Sequence, residues 1–232
     1  MVFYHNPIKY IDIFGHSFRF WNLTFFLAII VVSILTFLYV RKKGLDKRFF
    51  LQLLFLISLG VVIFSWFIPG YLLKETLSSF SGIFIGSLIA ILYVKWRKKS
   101  YRYLDIIALF LPIGFAIARV GCFFNWCCMG IETILPWGVI VVENHLPVHP
   151  TQIYLIIINL ILFGVFFYFR NHKFLKNKPG NLSLSIFASY SFFRLFLVEP
   201  LRYGIEGSTR SITLSLIFSV TLLVLYIRNR NI

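Results

Sequence analysis

Two arginines lie inside apolar stretches of the sequence that are long enough to cross a membrane. Arg119 stands in "GFAIARVGCFFNWCCMG", and Arg194 stands in "RLFLVEPLRYG". At 1.5 Å per residue, Arg119 lies about 21 Å along a helix that begins near Asp105, and Arg194 lies about 18 Å along one that begins near Leu182. The two guanidinium groups are therefore predicted to lie in one layer of the protein.

An arginine at this depth is costly, so its presence indicates a function. Near the centre of a bilayer it costs about 2.5 to 3.5 kcal/mol on insertion scales, and it normally faces the bundle interior beside a partner. A guanidinium is planar, forked and permanently charged, which matches the geometry of phosphate. We therefore predict an anion site whose natural ligand is a phospholipid headgroup. The alternative is that both side chains simply extend to the lipid headgroups.

Two further polar segments flank these stretches. Glu199 and Arg202 are neighbours if their helix continues through Pro200, and they form either part of the anion site or an ion pair at the membrane interface. "VHPTQIY" places His149 at the start of another helix, where an imidazole can titrate near neutral pH. His149 is either a base or a structural residue. Gln152 and Tyr154 are further polar candidates for the same cavity, or packing residues.

The cysteines at Cys122, Cys127 and Cys128 form neither a CxxC redox pair nor a zinc-ligand pattern. We expect them to pack structurally. A redox role or a role in the site's chemistry stays open.

The elements that must position these residues are membrane-spanning helices. The chain has 232 residues, of which 59% are hydrophobic, and its apolar stretches match the thickness of a bilayer. They predict an all-α integral membrane protein with seven spans, beginning near Leu23, Phe50, Phe80, Asp105, Gln152, Leu182 and Ile212. The basic blocks "RKKGLDKR", "KWRKKSYR", "RNHKFLKNK" and "RNRN" alternate between these spans.

The distribution of charge predicts the topology. By the positive-inside rule, the basic blocks place the N terminus outside and the C terminus in the cytoplasm. The net charge of +15 is then a topology signal, and binding of nucleic acid is not expected. No cleavable signal pattern is recognised, so the first helix is expected to be the anchor. We predict one membrane domain over residues 1–232, with a small extracytoplasmic cap over residues 126–150.

The motifs, taken in order, resemble those of the prolipoprotein diacylglyceryl transferase family. The matching segments are "ARVGCFFNWCCMG", "LPWGV", "HPTQIY" and the pattern formed by Arg194, Glu199 and Arg202. The resemblance covers most of the chain. It implies transfer of the diacylglyceryl group of phosphatidylglycerol to the lipobox cysteine of a preprolipoprotein, as a thioether, in the bacterial cytoplasmic membrane.

The resemblance also implies roles for individual residues. Arg119, Arg194 and Arg202 would bind the phosphate and stabilise the leaving group, and Glu199 would orient an arginine. The remaining residues of the phosphatidylglycerol site would be Asn125, Gly130, Gln152 and Tyr154. The signal peptide and membrane lipids are the expected partners, and neither a metal nor another cofactor is implied.

The sequence departs from the family where a proton acceptor is needed. Ser81 stands where the resemblance implies a histidine, and Leu155 stands where it implies a glutamate. Cys122 and Cys127 replace an asparagine and a glutamate, and Trp126 replaces a glycine. One extra residue separates Arg194 from Glu199. The base is therefore open, with His149 and His16 as candidates.

Three alternatives remain at this stage. The first is a related transferase with another donor or acceptor, or a family member that binds lipid without catalysis. The second is a thiol-redox membrane protein built on the three cysteines. The third is a transporter, which the clustering of the arginines disfavours.

Overall fold

The computed structural model describes residues 3–5, 10–13, 16–71, 78–141 and 146–207, and helices dominate it. Within these ranges the helices are α1 (Phe20–Lys42), α2 (Lys47–Tyr71), α3 (Ser78–Trp96), α4 (Arg102–Phe124), α5 (Thr151–Phe169), α6 (Lys173–Lys176), α7 (Asn181–Phe193) and α8 (Glu199–Gly207). A π-helical segment, Arg194–Val198, joins α7 to α8. Helices satisfy their own backbone hydrogen bonds, as an apolar environment requires.

Four of the described helical stretches are long and apolar enough to cross a membrane: α1, α4, α5 and the stretch Asn181–Gly204. The prediction of a helical, multi-pass membrane protein is confirmed in this form. Helices α2 and α3 also begin close to their predicted positions. The predicted seventh span near Ile212 lies outside the described residues, as do the side chains of His16 and Ser81.

Helix α4 is the central helix, packed against α1, α5 and α7. Its contact with α1 depends on small residues. A Cβ atom at Gly114 would lie 2.7 Å from Cγ2 of Val32, and one at Gly121 would overlap Oγ1 of Thr24. Small residues at such crossings let helix backbones approach closely within a membrane. The buried residues of α1 accordingly recur every four positions: Thr24, Ala28, Val32, Thr36 and Val40.

One end of α4 is anchored by a buried carboxylate. Asp105 accepts hydrogen bonds from the backbone N–H groups of Gly180 and Ser183, each at 2.8 Å. These N–H groups belong to the start of α7, where they have no partner within the helix. Gly180 has a φ of 97°, a left-handed conformation that glycine adopts without strain. Asp105 therefore fixes the start of α7 against α4.

Short strands lie in the segment predicted as a cap, and they pair with the N-terminal segment. Strand β1 (Phe3–His5) runs parallel to β4 (Val139–Val141), and β4 pairs with β5 (Pro147–Val148) in the antiparallel sense. An antiparallel hairpin of β2 (Tyr10–Ile13) and β3 (His16–Arg19) leads into α1. The all-α prediction did not include these strands. It also did not include the N-terminal segment in the cap.

Candidate active site

A cavity of about 900 Å³ lies beside α4 and extends along much of its length. It reaches from Trp21 and Arg119 at one end to Tyr101 and Gly180 at the other. Its walls are mostly aliphatic and aromatic side chains from α1, α2, α3, α4 and α7. Among the described residues that line it, Arg119 and Lys178 carry charge, and they lie at opposite ends. The cavity therefore suits a long amphiphile with an anionic group.

The two predicted arginines meet around one tyrosine. Arg194 Nη1 donates a hydrogen bond to the Tyr190 hydroxyl at 3.1 Å, and Tyr190 also interacts with Arg119. Arg119 Nη1 lies 3.9 Å from Cys122 Sγ, which is a weak contact for a guanidinium. Tyr190 was not predicted from the sequence. The signal that could have identified it is its position one helical turn before Arg194.

Arg194 and Glu199 form a buried ion pair. Arg194 Nε lies 2.9 Å from Glu199 Oε1, and the two side chains are 3% and 2% exposed. The second carboxylate oxygen, Oε2, has no hydrogen-bond partner among the described residues. A buried pair of this kind adds little net stability, but loss of one partner leaves a costly unpaired charge. Glu199 therefore holds the Arg194 guanidinium in place.

The π-helical segment explains how this pair forms across five residues. In an α-helix, neighbours on one face are three or four residues apart. The π-helical turn between Arg194 and Val198 follows an i to i+5 pattern, which brings Arg194 and Glu199 onto one face. The extra residue noted in the sequence is thus absorbed by the wider turn, and the arginine and the glutamate still pair.

A strained turn follows α4 and is held by α5. Trp126 and Cys128 have φ angles of 55° and 70°, in the left-handed region that costs energy for residues other than glycine. Gln152 Nε2 donates to the Cys127 carbonyl, and Thr151 Oγ1 donates to the Cys128 carbonyl, each at 2.5 Å. Gln152 is fully buried, so the structure places it as a support of this turn.

Gly130 ends the turn where the backbone has no room for a side chain. A Cβ atom there would lie 2.7 Å from Cβ of His149 and would overlap the carbonyl oxygen of Leu201. The Gly130 N–H donates to the His149 carbonyl at 2.8 Å, and the Ile131 N–H donates to the Leu201 carbonyl at 2.9 Å. The glycine therefore lets the turn, the start of α5 and α8 meet.

His149 belongs to a chain of hydrogen bonds beside the cavity. Trp137 Nε1 donates to the Tyr154 hydroxyl at 2.9 Å, and that hydroxyl lies 3.0 Å from His149 Nδ1. Because the tyrosine oxygen already accepts from tryptophan, its proton is available to the imidazole. Burial lowers the pKa of His149, which favours the neutral ring. His149 and Tyr154 are not among the residues that line the cavity.

The remaining predicted residues divide between the cavity and its surroundings. Asn125 lines the cavity beside Arg119. Arg202 lies 4.6 Å over the ring of Tyr203 and interacts with Cys128, outside the lining. All three cysteines are free thiols and line the cavity. In the part of the chain that the structure describes, no group of His, Cys, Asp and Glu has the arrangement of a metal site.

Comparison with known proteins identifies the family. A sequence model described as prolipoprotein diacylglyceryl transferase matches residues 8–228. Phosphatidylglycerol–prolipoprotein diacylglyceryl transferases are similar to this chain in several organisms. The protein of Prochlorococcus marinus is 36% identical over 132 residues, covering 52% of this chain and 43% of the relative. That of Thermotoga maritima is 36% identical over 134 residues, covering 52% and 44%.

A third relative matches over nearly its full length. The transferase of Campylobacter jejuni is 26% identical over 250 residues, covering 93% of this chain and 91% of the relative. The chain thus matches less than half the length of the first two relatives and most of the third. Since the sequence model of the family matches almost the whole chain, the protein belongs to the prolipoprotein diacylglyceryl transferase family.

Proposed function

We propose that this protein transfers the diacylglyceryl group of phosphatidylglycerol to the thiol of a lipobox cysteine and forms a thioether. The observation that carries the proposal is the cavity, whose apolar walls end at Arg119 beside Tyr190 and Arg194. The apolar walls suit two acyl chains, and the guanidinium suits the phosphate between them and the headgroup glycerol. Family membership and the relatives' names support the same reaction.

The proposal includes the arrangement in the membrane. Seven spans form one domain, with the N terminus outside, the C terminus in the cytoplasm, and the Arg119 end of α4 at the outer face. The basic loops at the opposite end support this orientation by the positive-inside rule. The location is the bacterial cytoplasmic membrane, where phosphatidylglycerol and the signal peptide of the acceptor meet the protein.

Each residue of the site has a separate role in the proposed reaction. Arg119 binds the phosphate and balances the charge that grows on it as the C–O bond breaks. Tyr190 and Glu199 hold Arg194 close to Arg119, so that a second positive charge acts on the leaving group. Arg202 adds positive charge beside the strained turn. Asn125 contacts the headgroup, whereas Gly130, Gln152 and Tyr154 support the turn and the start of α5.

The direct test is transfer by the purified protein. Incubation with phosphatidylglycerol and a lipobox peptide is expected to yield a peptide heavier by one diacylglyceryl group in mass spectrometry. A matched peptide with serine in place of the lipobox cysteine is expected to remain unmodified. Absence of the product over several acyl-chain lengths and peptides would contradict the proposal. Retention of phosphatidylglycerol without product would instead support a lipid-binding member of the family.

A further inference from the structure

The proposed reaction needs a proton acceptor for the substrate thiol, because the thiolate is the nucleophile. The acceptor must lie in the cavity, within hydrogen-bond reach of the incoming sulfur. Among the described residues that line the Arg119 end, the side chains that can exchange a proton near neutral pH are a tyrosine and three cysteines. His149 is not among them, which leaves the tyrosine and the cysteines as candidates.

Cys122, Cys127 and Cys128, here called the cysteine cluster, lie together at the end of α4 and in the turn that follows. Their thiols interact with one another, and all three are free. The Cys127 thiol donates to the Cys122 carbonyl at 3.5 Å, so its proton points back towards the helix end. Cys122 is buried, and its Sγ lies 3.9 Å from Arg119 Nη1. These two thiols are occupied within the protein.

Cys128 has a different environment from its neighbours. It is half-buried and lies within the positive fields of both Arg119 and Arg202. Its backbone has a φ of 70°, and its carbonyl is held by Thr151. Strained backbone of this kind persists where surrounding contacts enforce it, and it is concentrated at functional sites. The turn therefore keeps the Cys128 thiol at the cavity against its conformational preference.

The titratable and charged groups that face Cys128 favour its thiolate form. In the described part of the chain they are Cys122 and Arg119 from α4, Cys127 from the turn, and Arg202 and Tyr203 from α8. A hydrogen bond from Cys122, followed by the charges of Arg202 and Arg119, lowers the pKa of Cys128, although burial opposes this. Cys128 is therefore the thiol of the cluster whose thiolate form is most favoured.

Building on the proposed transferase function, we propose that Cys128 is the base that accepts the proton of the substrate thiol. The acceptor S–H bond breaks and its proton moves to Cys128 Sγ. The acceptor sulfur forms a C–S bond with the glyceryl carbon, and the C–O bond to the phosphate breaks. Glycerol phosphate leaves with the electron pair on its oxygen, beside Arg119, and Cys128 then releases the proton to water.

Tyr190 is the competing group in the cavity. Its hydroxyl oxygen already accepts a hydrogen bond from Arg194 and is held between two guanidinium groups. In water a thiol ionises about 1.5 pH units below a phenol, so the cysteine is also intrinsically closer to neutral pH. Tyr190 is therefore assigned to positioning the arginines, and Cys128 to proton transfer.

The test uses two variants of Cys128 and one matched control in the full-length protein. Cys128→Ser keeps the size of the side chain, and Cys128→Gly fits the positive φ without strain, so the second variant removes the thiol with little risk to the fold. A general base contributes roughly 100-fold to 10,000-fold, and we expect a loss of turnover in this range for both variants at pH 7. Thr133→Ser, a change of similar size outside the cavity lining, is expected to leave turnover unchanged.

The pH dependence separates a base from a structural residue. Without Cys128, the reaction depends on acceptor thiol that has ionised by itself. Turnover of Cys128→Ser is therefore expected to rise about tenfold per pH unit until the acceptor pKa near 8.5, whereas turnover of the unsubstituted protein stays flat over pH 6.5 to 8. Retention of phosphatidylglycerol is expected to be unchanged in both variants, because Arg119 is intact.

The outcomes distinguish this inference from the proposed function. If the unsubstituted protein transfers lipid and both Cys128 variants match its turnover, the inference is overturned and the transferase function stands. A loss in Cys128→Ser that is the same at every pH would also overturn it, because that pattern indicates a structural role. If the unsubstituted protein transfers nothing under any condition, it is the proposed function that fails.

Discussion

Each end of α4 buries a charged side chain, but the two side chains differ in their hydrogen-bond partners. At one end, the Asp105 carboxylate accepts two backbone hydrogen bonds at 2.8 Å, from Gly180 and Ser183. At the other end, Arg119 lies 3.9 Å from the Cys122 thiol, shares the Tyr190 hydroxyl with Arg194 and interacts with Cys127 and Cys128, with no carboxylate among these partners. A satisfied buried charge stabilises the fold, whereas a weakly paired one keeps its binding capacity for a ligand.

The same difference extends to the backbone around the two charges. At the Asp105 end, Gly180 adopts positive φ without strain, and Lys98, in the loop before α4, has a φ of 50°. At the Arg119 end, Trp126 and Cys128 adopt positive φ without being glycine, and Arg194–Val198 departs from α-helical geometry. Of the three non-glycine residues with positive φ in the described structure, two lie at the Arg119 end, as does the π-helical segment.

The largest expected effect is the loss of stability when the Arg194–Glu199 ion pair is broken. Glu199→Gln removes the negative charge and leaves the Arg194 guanidinium buried without a counter-ion. The free energy of unfolding is expected to fall by about 3 to 5 kcal/mol, measured by denaturant titration in detergent. The double variant Arg194→Met with Glu199→Leu is the matched control. This double variant is expected to recover most of the stability and none of the transfer activity. If Glu199→Gln were as stable as the unsubstituted protein, the ion pair would be refuted.

The next effect concerns the contact between the two arginines. Tyr190→Phe removes the hydroxyl that accepts from Arg194 and keeps the ring. A hydrogen bond to a charged group contributes about 1.5 to 3 kcal/mol, so turnover is expected to fall roughly 10-fold to 100-fold. The rate of diacylglyceryl transfer from phosphatidylglycerol, followed by mass spectrometry, measures this loss of turnover. Unchanged turnover would mean that Tyr190 does not position the arginines during the reaction.

A smaller effect is expected at the opposite end of α4. Asp105→Asn keeps the shape of the side chain but removes the charge that stabilises the start of α7. The free energy of unfolding is expected to fall by about 0.5 to 2 kcal/mol, the usual range for a helix cap. Turnover per folded molecule is expected to stay the same. A loss of turnover without a loss of stability would reverse the roles that the comparison assigns to the two ends.

The smallest effect is the pH dependence of stability at His149. Burial lowers the pKa of this imidazole in the folded state, so the unfolded chain binds a proton more readily. The stability it contributes is fully present above about pH 6.5 and is lost as the pH falls through the lowered folded-state pKa. The melting temperature of His149→Gln is therefore expected to fall less between pH 7 and pH 5 than that of the unsubstituted protein. Parallel curves would contradict this.

The helices and the arginine layer could be predicted from the sequence because both follow from local spacing. Helices α1, α2, α3, α4, α5 and α7 each begin within one turn of the predicted position. The positions of Arg119 and Arg194 along their helices followed from counting residues at a fixed rise. Such properties depend on residues that are close in the sequence, so they can be predicted without knowing how the helices pack.

The contacts that complete the site could not be predicted in this way. Tyr190 lies one helical turn before Arg194, but its contact with Arg119 depends on the packing of α7 against α4, which that spacing does not report. The extra residue between Arg194 and Glu199 departs from the spacing that the family resemblance implies. The sequence did not show that a π-helical turn accommodates it. The pairing of β1 with β4 joins segments more than 130 residues apart, which hydrophobic patterning does not report. The proposed roles of the site residues, including the base, stay predictions.

The most direct test of the account is a comparison of two arginine variants on the same helix. Arg119→Lys changes the forked guanidinium at the cavity, and Arg102→Lys makes the same change at the exposed, opposite end of α4. Phosphatidylglycerol retained by each purified protein is measured by native mass spectrometry. We predict that Arg102→Lys retains the lipid as the unsubstituted protein does and that Arg119→Lys loses most of it. Equal retention by both variants would contradict the assignment of the Arg119 end as the phosphate site.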